Sequence, residues 1–135
     1  MARVLAVDDD PRIRRFVVDA LKKAGHEVTA VGDAESCVAQ LLSARPDLFL
    51  LDIHLPGMDG LSLAQKLQES RGTQATPVVI FSVRTDPRFK VAAYASGVLT
   101  YLEKPFKKAD LLDAVDLALK LARKKADGAR RPRRR

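Results

Sequence analysis

Leu48-Phe49-Leu50-Leu51-Asp52 is an apolar run that stops at a carboxylate, and the turn residues Pro56-Gly57-Met58-Asp59-Gly60 follow it. An uninterrupted apolar run closed by an acid and by Pro and Gly reads as a strand buried on both faces, with the acid at its carboxyl end. The same pattern recurs in both directions. Toward the N-terminus, Val4–Val7 stops at Asp8-Asp9-Asp10, and Glu27–Val31 leaves at Gly32-Asp33. Toward the C-terminus, Pro77 opens Val78-Val79-Ile80-Phe81, which ends at Ser82, and Val98–Leu102 leads to Lys104-Pro105.

Helical periodicity fills the intervals. Ile13, Phe16, Val17, Ala20 and Leu21 repeat at helical spacing, with Asp10 as N-cap, Pro11 at the first helical position and Gly25 as the stop. Ala34, Cys37, Val38, Leu41 and Leu42 mark one face of a second helix, and Leu63, Ala64 and Leu67 that of a third. Phe89, Ala92, Ala93 and Ser96 give a weaker fourth, and Leu111, Leu112, Val115, Leu119 and Ala122 a fifth after Pro105. Five βα units with apolar strands predict an α/β fold, a doubly wound five-stranded parallel sheet covered by helices on both faces.

The chain has 135 residues, 47% hydrophobic and 30% charged, which fits one domain and excludes a disordered or collagenous chain. Its single cysteine, Cys37, excludes an intrachain disulfide. The N-terminal apolar run is too short for a signal peptide, and no run approaches the roughly 18 residues of a membrane span. A cytoplasmic protein is expected. The net charge of +7 has a location: residues 123–135 hold eight of the 24 basic groups and one of the 17 acids. Residues 1–122, the expected folded domain, therefore sum to zero, and no basic groove for nucleic acid follows from their composition. The basic tail, with Gly128 and Pro132, is expected to fray or be disordered from Ala126 onward. Its bland reading is a solvated end or linker; the functional one is an electrostatic tether to nucleic acid or another acidic surface.

In an open parallel sheet, sites form beyond the carboxyl ends of the strands. Asp8 and Asp9 stand there after the first strand, Asp52 after the third, Ser82 after the fourth, and Lys104 after the fifth. Three converging carboxylates repel one another unless a cation joins them, and a hard divalent ion such as Mg²⁺ suits oxygen donors that leave positions for phosphate oxygens. With a lysine and a hydroxyl beside them, the matching reaction is phosphoryl transfer to a carboxylate.

Val7-Asp8-Asp9-Asp10-Pro11, Leu51–Gly60, Ser82 and Lys104-Pro105-Phe106 together resemble a two-component response-regulator receiver domain of the chemotaxis-receiver kind, over about residues 2–122. The resemblance implies the flavodoxin-like strand order 2-1-3-4-5. It implies Asp52 as phospho-acceptor, with Asp8, Asp9, Asp52 and the backbone carbonyl of His54 holding Mg²⁺. Lys104 would pair with the phosphoryl group, and Ser82 and Tyr101 would form the switch pair. The partners implied are a sensor histidine kinase or a histidine phosphotransfer protein, and a downstream protein target. Such a chain is a signalling protein that catalyses only its own aspartyl phosphorylation and dephosphorylation. A phosphorelay intermediate, or the receiver part of a longer DNA-binding regulator, would carry the same site. A haloacid-dehalogenase-like hydrolase also uses an aspartyl nucleophile, but the order of acids matches the receiver.

Two positions depart from the family pattern. Val83 stands where alanine or glycine is usual and should shield the phosphoryl site; Leu99-Thr100 replaces an acidic pair of dimerising members, so a monomer or weak dimer is expected. Other polar residues have plainer roles. Asp10 reads as a helix cap, Asp59 as a cap of the third helix or a stabiliser of the turn, His54's imidazole as a loop residue, and Cys37 as core filler.

Overall fold

A computed structural model describes residues 2–82 and 100–130. Five parallel strands form one sheet in the order β2-β1-β3-β4-β5, as expected. The strands are β1 (Arg3–Val7), β2 (Glu27–Val31), β3 (Leu48–Asp52), β4 (Val78–Ser82) and β5 (Thr100–Glu103). The helices among the described residues are α1 (Pro11–Lys23), α2 (Ala34–Gln40), α3 (Gly60–Glu69) and α4 (Lys108–Arg130). The weaker helix expected around Phe89–Ser96, Val83, and the Val98-Leu99 start of the fifth strand lie outside the described residues.

Strand side chains alternate between two cores, so the apolar runs serve both faces at once. Leu5, Val7, Phe49, Leu51, Val78 and Ile80 face α2 and α3 and meet Cys37, Leu63 and Leu67. Val4, Ala6, Leu48, Leu50, Val79 and Phe81 face α1 and α4 and meet Val17, Leu21, Leu111 and Val115. Each fully buried Leu, Val or Phe contributes about 1.5–3 kcal/mol relative to exposure. This two-sided burial fixes the register, and the register fixes where each strand ends.

Capping is local; it matches expectation at Asp10 and Asp59, and Asp33 adds a third cap that the sequence pattern does not single out. Asp10, Asp33 and Asp59 accept backbone N–H bonds from Arg12, Ser36 and Ser62 at 2.9, 2.7 and 2.8 Å, opening α1, α2 and α3. Gly25 ends the α1 turn with φ +95°, a conformation side-chain-bearing residues rarely adopt.

The second helix and the tail depart from expectation. Val38 is half-exposed and Leu42 is 90% exposed. α2 ends at Gln40, and tight bonds from Leu41 N to Val38 O and from Leu42 N to Ala39 O replace the helical spacing that would have carried Leu42 inward. Phe16 is also partly exposed, yet its ring meets Phe106 at 5.8 Å between centroids. α4 passes Ala122 and continues to Arg130, so residues 126–130 are helical rather than frayed. Arg123 to Ala126 include strong helix formers that outweigh the roughly 1 kcal/mol cost of Gly128. Residues 131–135 lie outside the described set.

Two outcomes are expected of this packing. Gly60 N donates to Ile53 O at 2.7 Å, and a Cβ on Gly60 would run into the Asp52 carbonyl oxygen and sit 2.9 Å from the Ile53 Cα. Gly60→Ala should therefore lower the unfolding free energy in urea by about 1–3 kcal/mol; an unchanged midpoint would show that α3 is not packed on that backbone. Burial pushes the Cys37 thiol up to about 12. The native state keeps that proton longer than the unfolded chain, so stability falls as pH rises above the ordinary thiol value. Cys37 should resist iodoacetamide at pH 8 in native buffer and react fully in urea, with fast native alkylation as the contrary result.

Candidate functional site at the carboxyl edge of the sheet

The strand ends bring together the acids that the pattern singled out. Asp8 follows β1 and is 1% exposed, Asp52 closes β3 and is 4% exposed, and Asp9 is exposed. One carboxylate oxygen from each of the three lies within 4.8 Å of the others. Lys104, following β5, reaches across with 10% side-chain exposure. Its Nζ donates to Asp8 Oδ2 at 2.5 Å and lies 3.3 Å from Asp52 Oδ2.

Each charge is held by its surroundings. Asp8 Oδ1 accepts from the Asp10 N–H at 2.8 Å, and Asp52 Oδ1 accepts from the His54 N–H at 3.3 Å. The Lys104 N–H donates to Ser82 O at 2.6 Å, extending the β4–β5 ladder to the residue that carries the ammonium. That ammonium also lies 5.0 Å from the centroid of the Phe81 ring, on the electron-rich partner that aromatic faces offer cations. Burial raises the Asp52 carboxyl above its ordinary value, and the Asp8 charge adds to the effect, against the lowering by Lys104 and the His54 N–H.

Ser82 is fully buried at the end of β4, one residue beyond Phe81, which pairs in register with Asp52. Tyr101 pairs in register with Ile80 and packs, half-buried, against the core on the α2–α3 side. His54 lies in the loop after Asp52 and orders its carboxylate through the backbone. Asp8, Asp9, Asp52 and Lys104 thus converge, with Ser82 at the neighbouring strand end. Phe81 and Gly60 were not singled out as site residues. In the sequence Phe81 is one apolar strand residue among several and Gly60 is turn chemistry; the lysine following β5 and the acid eight positions before Gly60 are the pointers the sequence offers.

Residues 4–116 match the family model described as "response regulator receiver domain". The chain belongs to this family. It is similar to the DNA-binding response regulator MtrA of Mycolicibacterium smegmatis, at 34% identity over 87% of this chain and 50% of that protein. It is similar to the transcriptional activator protein PfeR of Pseudomonas aeruginosa, at 37% identity over 90% of this chain and 39% of that protein. The receiver spans about half the length or less of these curated relatives. Among solved structures, the chemotaxis response regulator CheY4 of Vibrio cholerae superposes with a TM-score of 0.81 at 33% identity, over 86% of this chain and 97% of that one. NtrX of Brucella abortus gives 0.89 at 33% identity, over 95% of this chain and 29% of that one.

The receiver is a two-component signalling protein whose family normally binds Mg²⁺, and its three-carboxylate cluster supplies hard oxygen donors of the fitting kind. Among the described residues no helix is long and apolar enough to cross a membrane.

The raised Asp52 carboxyl has a consequence for stability. The native state holds this proton to higher pH than the unfolded chain, so stability falls as pH rises from the ordinary carboxylate value through the raised one. In chelator at pH 7, Asp52→Asn should therefore unfold at higher urea than the unmodified protein. Its stability should also vary less between pH 4 and 7. A less stable Asn variant at pH 7 would contradict the electrostatic reading of the cluster.

Proposed function

We propose that this receiver accepts a phosphoryl group on Asp52 from a phosphohistidine of a sensor histidine kinase or a histidine phosphotransfer protein, and signals by a change of surface. The observation that carries the proposal is the Lys104 ammonium held between the Asp8 and Asp52 carboxylates, beside an exposed Asp9. In the step itself, an Asp52 oxygen forms a bond to phosphorus while the phosphorus–nitrogen bond breaks and its electron pair returns to the imidazole. The product is an acyl phosphate, formed where water is largely excluded.

Asp8, Asp9, Asp52 and the His54 backbone carbonyl are the groups that would hold Mg²⁺. Bound there, the ion supplies positive charge that lets an anionic donor approach carboxylates and stabilises charge on the phosphoryl oxygens. Lys104 contributes its ammonium to another phosphoryl oxygen, exchanging part of its interaction with Asp52 for one with the new dianion. The Asp8 contact anchors it during that exchange. Ser82 offers a hydroxyl to the remaining oxygen, and Tyr101, half-buried in an adjoining layer, is the ring whose packing follows that hydroxyl. The sole reaction catalysed is the receiver's own phosphorylation and dephosphorylation.

A second reading concerns output. The relatives named as DNA-binding regulators are about twice as long as the matched part, which favours a receiver that controls an attached or separate DNA-binding module. The phosphoryl chemistry is the same in either case.

With Mg²⁺ and a competent phosphodonor, the protein should gain one alkali-labile phosphate. Asp52→Asn should remove that label, and excess chelator should abolish it in the unmodified protein. Lys104→Met should cut labelling by about a hundredfold, as expected on losing one preorganised charge at a reacting centre. Stoichiometric labelling of the Asn variant, or labelling indifferent to chelator, would overturn the assignment.

A further inference from the structure

Arg14 reaches the acidic cluster through the backbone rather than through a carboxylate. It lies in the first turns of α1, where its N–H donates to Asp10 O at 3.1 Å, and its side chain is partly buried. Its Nη1 donates to the backbone carbonyl of Asp8 at 2.8 Å. The passage beside it is open because residue 32 is glycine. A Cβ on Gly32 would stand 3.2 Å from Arg14 Nη1 and 4.0 Å from Asp8 O. Gly32 has no left-handed φ to explain its identity, unlike Gly25 and Gly57, so what it offers there is space.

This contact completes the constraint on Asp8. Its N–H donates to Val31 O at 3.0 Å, its carbonyl accepts from Arg14, and its carboxylate accepts from Asp10 N–H and Lys104. Because a peptide unit is planar, fixing the Asp8 carbonyl also fixes the direction of the Asp9 N–H and the location of the Asp9 Cα. Asp9 is the exposed acid of the cluster. We propose that Arg14 is a positioning residue for the divalent-cation site: by clamping the Asp8–Asp9 peptide through the gap left by Gly32, it presents the Asp9 carboxylate toward Asp8 and Asp52. The inference rests on the cation-binding reading of this cluster.

Electrostatics gives the test a sign. Removing a cationic group near a cation site strengthens cation binding by Coulomb's law. Losing a clamp on a ligand weakens it. The experiment titrates Mn²⁺ into the unphosphorylated full chain, with free ion followed by electron paramagnetic resonance, and records thermal unfolding of each variant in chelator. Arg14→Met should raise the Mn²⁺ dissociation constant by about tenfold, the lower end of losses seen when outer contacts of metal sites are removed. Arg15→Met, on an exposed residue of the same helix, removes the same charge without the clamp and should bind Mn²⁺ as the unmodified protein does or slightly tighter. Arg14→Gln cannot span the gap and should behave as Arg14→Met, and it decides the matter if the Met variant does not fold. A folded Arg14 variant that binds Mn²⁺ within twofold of the unmodified protein, or more tightly, overturns the proposal, whatever its unfolding temperature. Absence of Mn²⁺ binding by the unmodified protein overturns the cation-site reading itself, and the clamp with it.

Discussion

Everything at the carboxyl edge of this sheet depends on one buried ammonium facing two buried carboxylates. Lys104 is nearly enclosed, and so are Asp8 and Asp52, with water largely replaced by apolar strand residues and the Phe81 ring. Taking such charges out of water is costly, and the cost is offset only where geometry brings opposite charges and hydrogen-bond donors to them. The Asp10 and His54 N–H groups and the Lys104 ammonium meet that requirement. Among the described residues, Lys104 is the one cation that meets the three carboxylates directly, and this deficit of positive charge is what equips the cluster to take up a divalent ion and an anionic group together.

The apolar strands make the arrangement hold. Apart from exposed Arg3, side chains of β1, β3 and β4 are buried on both faces, and their period of two divides them between the two helical layers. A slip of one residue in β3 would exchange its two faces and carry Asp52 away from Lys104. Phe49, Leu50 and Leu51 hold the register by being unable to sit elsewhere, so hydrophobic packing sets the acid to within hydrogen-bond precision. Gly60 carries the constraint to α3, whose first turn lies against the Asp52–Ile53 backbone. Arg14 and Gly32 carry it to α1 and β2. Two helices and the ends of all five strands thus converge on a few polar atoms.

The sheet, its order of elements and the convergence of Asp8, Asp9, Asp52 and Lys104 were legible because each signal was redundant. An apolar run, a terminating acid and a following turn marked the same boundary three ways. Asp10 and Asp59 were legible as caps for a similar reason, since a cap is a local contact. What was not legible depended on space rather than on pattern. The exposure of Val38 and Leu42 follows from a helix that ends early in tight turns, and their spacing alone reads as a core face. Arg14 looks like any solvated arginine until the vacancy at Gly32 is seen. The continuation of α4 to Arg130 shows the lack of apolar periodicity and the break expected at Gly128 overruled by the helix preference of Ala, Lys and Arg.

The central claim is that the Asp52 carboxylate, held opposite Lys104, is the group that bonds to phosphorus. An acyl phosphate can be reduced by borohydride to an alcohol, which converts the modified aspartate into homoserine and leaves a permanent mass signature in its peptide. The protein is phosphorylated in Mg²⁺, reduced, digested and mapped by mass spectrometry. The account predicts homoserine at position 52 and at no other aspartate, including Asp8 and Asp9. Homoserine at a different aspartate, or none in protein that has demonstrably taken up phosphate, would contradict it.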